Sequence, residues 1–380
     1  MKFLAKTFHG LEDVLAKELD VLGAKAVLPI KRAVSFEGDK KLLYKSNLHL
    51  RTALRILVPI AEFTANTDQE LYNEVKSINW PEYININQTF AIDSVVFSER
   101  FTHSQYVALK VKDAIVDQFK ERLGKRPSVD PKFADNRINV HIAHNKVSIS
   151  LDSSGDSLHK RGYRRKGHIA PLNEVLAAGM LMLAEWDSTI PLIDPMCGSG
   201  TFLMEAAMMA YNMPPGIKKK HYSFMNWKDY DQDLWKKVSE ESKSNMITPE
   251  VNIQGGDIAM QSIDLSKMAS LDFNLRKAIK LERISFNKHL PSSESGMLIL
   301  NPPYGERITP KDLLDLYESI GNQLKKSYAG FDAWIFSSNK EAMKRIGLRP
   351  SRKYTLFNGA LECKFQKFSM YAGSHKIKKN

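Results

Sequence analysis

The chain has 380 residues, is 43% hydrophobic and 26% charged, and carries a formal charge of +12. That length points to two or three domains, the hydrophobic share is ordinary for a soluble globular protein, and a pI near 9.4 suits a polyanionic partner. Two cysteines, Cys197 and Cys363, exclude a disulfide framework and make a reducing cytoplasm the default.

Charges at Lys2, Lys6, Glu12 and Asp13 argue against a signal peptide, and the longest apolar run, near 175–184, is too short to span a bilayer. A strand is expected at 3–5, then an amphipathic helix over 10–22 with Leu11, Val14, Leu15, Leu19 and Leu22 on one face. A strand at 33–36 ends in the turn Gly38-Asp39, followed by a helix over 40–47 and a strand over 55–58. The next stretch repeats the alternation: helix 70–77, strand 89–96, a long helix 104–123 broken by Gly124-Lys125-Arg126-Pro127, and strands at 139–142 and 146–151. His141 and His144 read as surface or RNA-facing residues, and the ten histidines show no metal-ligand spacing, so no metal is expected.

Residues 153–168 are polar and basic and read as an interdomain linker. Beyond them β and α alternate: helix 173–186, strand 190–193, helix 201–211, strand 251–254, helix 260–280, strands 282–286 and 297–300, helix 311–326, strand 332–336 and helix 339–346. A terminal strand pair, 353–357 with 362–365, closes the series. This order predicts a doubly wound α/β sheet. A polar insertion at 212–250, with Trp227, Tyr230 and Trp235, reads either as a substrate-facing lid or as a surface helix.

Two motifs carry chemistry. Asn301-Pro302-Pro303-Tyr304 follows the apolar strand at its C-terminal end. Two prolines fix two φ angles and delete two donors, so the chain leaves the sheet in a stiff turn. That turn offers the Asn301 side-chain oxygen and the Pro302 carbonyl as acceptors beside the Tyr304 ring, a combination that suits a nucleobase bearing an exocyclic amine. A proline-capped strand with a packed tyrosine is the plainer reading of those four residues alone. Upstream, Asp194-Pro195-Met196-Cys197-Gly198-Ser199-Gly200-Thr201 reads as strand, small-residue turn and helix start. Gly-Lys-Ser/Thr and Gly-x-Gly-x-x-Gly are absent, so a phosphate cradle fails. A carboxylate at Asp194, glycines at 198 and 200 and a helix N-terminus at Thr201 suit a zwitterionic amino-acid moiety. Both motifs fall at C-terminal strand ends, where open α/β sheets bind ligands. Cys197 reads as a packing residue.

With these motifs the chain resembles the THUMP-domain RNA methyltransferases, and among them the bacterial 23S rRNA guanine-N2 (RlmL-like) group. The resemblance extends over Gly38-Asp39, Arg126-Pro127-Ser128-Val129-Asp130, Asp152-Ser153-Ser154-Gly155, Arg161-Gly162-Tyr163-Arg164 and Ala170-Pro171-Leu172. Members with a second methyltransferase domain exist, and this chain resembles their first half only. The resemblance implies a Rossmann-like class I methyltransferase domain over 169–380. Ahead of it would lie a ferredoxin-like lobe at 1–60, a THUMP RNA-binding domain at 61–155 and a linker at 156–168. It implies S-adenosylmethionine (SAM) as methyl donor, 23S rRNA or a large-subunit precursor as partner, and transfer to guanine N2.

Asn301, Pro302, Pro303 and Tyr304 would be catalytic; Asp194, Met196, Gly198, Gly200, Thr201 and Asp257 would bind the cofactor. From the residues themselves, Lys125 and Arg126 read either as a phosphate-contacting face or as a solvated one; with Arg161, Arg164 and Arg165 they are the candidate RNA contacts, and further basic runs occur at Lys218-Lys219-Lys220-His221 and, as a solvated tail, at 375–379. Two acidic positions usual in the family are replaced, by Ala259 and in Phe286-Asn287-Lys288-His289. These departures keep a non-catalytic RNA-binding or assembly factor as an alternative, the shared two-domain plan keeps a tRNA guanine-N2 methyltransferase, and the similar amine of adenine keeps an N6-adenine DNA methyltransferase.

Overall fold

The computed structural model describes residues 1–164, 172–304 and 309–371. Along the N-terminal part run β1 (Lys2–Lys6), α1 (Glu12–Val21), β2 (Lys25–Ile30), β3 (Ala33–Glu37), α2 (Lys40–His49), β4 (Arg55–Thr64) and α3 (Asp68–Ser77). Then follow β5 (Thr89–Phe97), α4 (Ser104–Leu123), β6 (Ser128–Val129), β7 (Asn136–Ala143) and β8 (Lys146–Asp152). The remainder comprises α5 (Glu174–Leu183), β9 (Leu192–Asp194), α6 (Thr201–Ala210), α7 (Gln232–Ser244), β10 (Ile253–Asp257), α8 (Met260–Asp272), β11 (Ile279–Arg283) and β12 (Gly296–Leu300). It ends with α9 (Pro310–Ser327), β13 (Phe331–Ser337), α10 (Lys340–Arg345), β14 (Arg352–Asn358) and β15 (Leu361–Ser369).

Local sequence sets most of these boundaries. Asp39 caps α2 by accepting from the Leu42 N–H, Thr67 caps α3, and Gly124 in the left-handed region ends α4. Thr309 followed by Pro310 opens α9, its hydroxyl accepting from the Asp312 N–H.

The chain divides into two compact units, Met1–Thr7 with Leu15–Lys160 and Gly216–Glu241, and Phe8–Val14 with Arg161–Pro215 and Ser242–Asn380. The first unit holds one eight-stranded sheet in the order β2-β3-β1-β4-β8-β7-β5-β6. Strand β4 is ten residues long and crosses the 60/61 position at which one lobe was expected to give way to the next. It pairs with β1 through Arg55 to Leu57 and with β8 from Leu57 to Thr64, so one strand serves both halves of the sheet. Strand β2 was not anticipated. It is almost wholly exposed and carries Pro29, a residue tolerated in strands mainly at an edge.

Residues 153–160, the first part of the stretch read as a linker, are packed into this unit: Ser153, Ser154 and Leu158 are buried. The Ser153 hydroxyl donates to the Ile56 carbonyl, that of Ser154 to Asn47 Oδ1, and buried Asp152 pairs with Arg55. Their polarity is satisfied internally, which composition alone does not reveal. Of the 212–250 insertion, residues 216–241 belong to the first unit and help build its core. Tyr222 and Phe224 are fully buried and stack at 5.2 Å, and Phe224 stacks on Tyr44 of α2 at 4.5 Å, with Trp235 edge-on to all three. Gly216 approaches so closely that a Cβ there would collide with the Tyr222 hydroxyl.

The second unit holds a seven-stranded sheet in the order β11-β10-β9-β12-β13-β15-β14. All pairs among β11 to β13 are parallel, while β15 runs antiparallel to β13 and to β14. The order reverses between β9 and β12, which makes that crevice the switch point at which such sheets bind ligands. Helix α8 ends at Asp272 rather than 280, because Asn274 takes a left-handed φ of 57° and turns the chain, and β11 accordingly begins three residues early, at Ile279.

Candidate active site

Strand register brings the two motifs together. Leu192 pairs with Met297 and Ile193 with Leu298, so Met196 and Asn301 each lie three residues past paired positions on neighbouring strands. On the other side Gly255 pairs with Asp194, which sets Asp257 beside Met196. Adjacent strands are about 4.8 Å apart, so Asp194, Asp257 and Asn301 share one rim of the sheet.

The small-residue turn is held by its neighbours. Asp257 Oδ2 accepts from the Gly198 N–H at 2.9 Å and Oδ1 from the Ala259 N–H at 2.8 Å. The Cys197 N–H donates to the Gly256 carbonyl, and the Ser266 hydroxyl of α8 to the Gly198 carbonyl at 3.0 Å. Gly200, at φ 77°, is the residue before α6, and a Cβ there would lie 2.8 Å from the Ser266 hydroxyl. The turn thus presents the α6 N-terminus without a side chain in the way.

Asp194 is 2% exposed. Burial pushes its carboxyl well above the usual range, and the Asp257 carboxylate pushes it further, against a hydrogen bond from the Met196 N–H. Among the described residues no cation pairs with either carboxylate. A desolvated, acidic pocket of this kind suits a bound cation. Burial also raises the Cys197 thiol, with both carboxylates adding to the effect, so it is no nucleophile.

On the β12 side, the Asn301 Oδ1 is buried and accepts no hydrogen bond among the described residues. The turn after it is braced at two points that the sequence did not disclose. Tyr317 of α9 donates to Ser337 at 2.7 Å and to the Pro303 carbonyl at 3.4 Å. Asn358 of β14 donates to the Tyr304 hydroxyl at 2.9 Å, and the Tyr304 ring stands edge-on to Phe336. His289, in the stretch where an acidic residue is usual, is 5% exposed, bonds through Nδ1 to the Tyr328 hydroxyl at 2.7 Å and has its carbonyl held by Gln323. Burial lowers its pKa, against the Glu282 carboxylate, and so favours the uncharged ring.

The expected RNA contacts divide. Lys125 and Arg126 are exposed just past α4. Arg161 is not: its side chain is 1% exposed and pairs at 3.5 Å with Glu205 of α6, which also accepts from the Tyr163 hydroxyl at 2.8 Å. A buried carboxylate draws in a counter-charge, and Arg161 serves that need rather than a phosphate. Arg164 pairs with Glu174 at 3.0 Å. Arg165, with Lys166, lies outside the described residues, as do Gly305 to Arg307 and the 375–379 run. Among the described residues no group of three or more His, Cys, Asp or Glu side chains is placed to hold a metal ion, and no helix is long and apolar enough to cross a membrane.

Comparison with known proteins agrees with this arrangement. Residues 161–367 match the RMKL-like methyltransferase domain, 65–152 the THUMP domain and 2–57 the RlmL ferredoxin-like domain. The chain is 41% identical to slr0064 of Synechocystis, named as a candidate RNA methyltransferase, over 97% of each chain. It is 38% identical to the ribosomal RNA large subunit methyltransferase K/L of Syntrophotalea carbinolica, over 97% of this chain but 54% of that protein, so it spans about half that relative's length. The crystal structure of SMU.472, described as a candidate methyltransferase complexed with SAH, superposes with a TM-score of 0.87 at 27% identity, covering 98% of this chain and 99% of the other. The chain belongs to the RMKL-like methyltransferase family, with a THUMP domain and an RlmL-type ferredoxin-like domain ahead of the methyltransferase domain.

Proposed function

We propose that the protein transfers a methyl group from SAM to the exocyclic N2 of a guanosine in 23S rRNA. One observation carries the reading: a buried acceptor, Asn301 Oδ1, with no hydrogen-bond partner among the described residues, at a strand end that adjoins an acidic turn. A buried amide oxygen left unpaired costs about 1–3 kcal/mol, and an amine hydrogen from a base removes that cost. The acidic turn fits SAM on its own chemistry. Asp194 would meet its ammonium, Asp257 its ribose hydroxyls, and the α6 N-terminus its carboxylate. When bound, SAM supplies a methyl group on a sulfonium.

The protein's own part is positioning and electrostatics. The guanine amine is a poor nucleophile because its lone pair is delocalised into the ring. Asn301, with the Pro302 carbonyl, would hold both amine hydrogens and favour a more tetrahedral nitrogen. Tyr304, fixed by Asn358, would lie against the base. The THUMP match and the relatives named for RNA support RNA as the partner.

A second reading, a non-catalytic RNA-binding factor, draws on Ala259 and on the buried His289. Nucleoside mass spectrometry of rRNA and tRNA from a deletion strain separates the readings. Loss of one N2-methylguanosine from 23S rRNA is expected. Its loss from tRNA instead, or no loss at all, contradicts the assignment.

A further inference from the structure

The basic run Lys218-Lys219-Lys220-His221 has no role in the site above. In the first unit it lies beside the 131–135 loop that leads into β7. Asn226 Nδ2 donates to the Asp135 carbonyl at 2.8 Å and lies 3.1 Å from His221 Nε2, and the Ser223 hydroxyl donates to the same carbonyl at 2.8 Å.

The loop is rigid yet offers an apolar face to water. Asp130 Oδ1 accepts from the Lys132 and Phe133 N–H groups, both at 2.9 Å. Arg137 Nη2 donates to the carbonyls of Pro131 at 2.8 Å and Lys132 at 3.2 Å. At its tip Phe133 is 83% exposed.

Cations gather around the same place. Lys219 lies over the Tyr222 ring at 5.1 Å and donates to the Asp156 carbonyl, while Lys160 pairs with the Asp156 carboxylate at 2.8 Å. Burial lowers the Lys219 ammonium to about 8, and nearby Arg55 and Lys160 contribute to that lowering against Asp156 and Asp152. Crowded, partly desolvated cations of this kind gain from an added anion. Lys218 and Lys220 flank it and are exposed.

We propose that this surface, the 131–135 loop with the 218–221 run, docks a single-stranded segment of the RNA substrate, Phe133 stacking on a base while Lys218, Lys219 and Lys220 contact phosphates. Aromatic faces set among cations are what sequence-tolerant single-strand binding requires. The inference rests on RNA being the substrate, and it gives the 216–241 insertion, which belongs by sequence to the methyltransferase half, a share in holding it.

The test is fluorescence anisotropy of the full chain with a labelled single-stranded oligoribonucleotide, across a salt series. Phe133→Ala should weaken binding about tenfold or more with an unchanged salt slope, as removal of one stacked base predicts. Lys218→Glu with Lys220→Glu should weaken binding and make the log–log salt slope shallower by about 0.7 for each phosphate no longer neutralised. Thermal melting should be unchanged for Phe133→Ala, whose ring is exposed, and circular dichroism should show both variants folded. Wild-type affinity in either variant overturns the proposal. If the wild-type chain binds no RNA of any kind, the fault lies in the RNA reading itself, and the surface proposal falls with it.

Discussion

Asp194 and Glu174 are both buried carboxyls, and their neighbours give them different consequences. Asp194 has a second carboxylate nearby and no cation pairs with it among the described residues, and burial together with that neighbour favours its protonated form in the ligand-free protein. A bound cation reverses that, and SAM binding should therefore release a proton and weaken on acidification. Calorimetry in buffers of different ionisation enthalpy measures the release directly. Asp194→Ala should weaken SAM binding about 10- to 100-fold, the cost of one charge-assisted hydrogen bond. Gly200→Val should abolish it, because a valine cannot take φ 77° without strain and its Cβ would press on Ser266. Unchanged affinity in both variants would move the cofactor elsewhere.

Glu174 is pushed up to about 7 from an ordinary 4.5 by burial, against the pull of Arg164. Its folded value is the higher one, so the folded state binds the extra proton. The stability this contributes is present below about pH 4.5 and is lost as pH rises through 7. Glu174→Gln removes the titration. The melting temperature of the wild type should fall relative to the variant between pH 5 and 8, and parallel curves would contradict the assignment.

At the scale of elements, much was legible in the sequence because it is written in short-range signals. Apolar runs marked β9, β12 and β13, glycine and proline marked the turns, and their order marked a doubly wound sheet with a terminal hairpin. The two site turns were legible for the same reason, each being contiguous along the chain. What was not legible depends on partners distant in sequence. Nothing local to Ser153 and Ser154 announces that Asn47 and Ile56 will satisfy them. Nothing local to Arg161 announces Glu205, and the braces from Tyr317, Asn358 and Ser266 come from other elements altogether.

The insertion is the clearest case. Its polar composition hides a buried aromatic group that completes the first unit's core against Tyr44. Phe224→Ala should therefore cost about 3–5 kcal/mol of that unit's stability. Denaturant unfolding followed by hydrogen exchange in α2 would show it, whereas a lid without structural weight would leave both unchanged.

For the whole molecule, a charge of +12 and the two-unit division fit a chain that holds a polyanion with one set of residues and modifies it with another. Changes at Asn301 should then leave RNA and SAM affinities alone and act on the rate. The most direct test is single-turnover transfer of labelled methyl from SAM to rRNA purified from a deletion strain, comparing the wild type with Asn301→Ala and digesting the product to nucleosides. Label should appear in N2-methylguanosine with the wild type, and the variant's rate should be lower by about 100-fold or more, the scale on which removal of one preorganised polar group acts. A variant as fast as the wild type, or label in any other nucleoside, would contradict it.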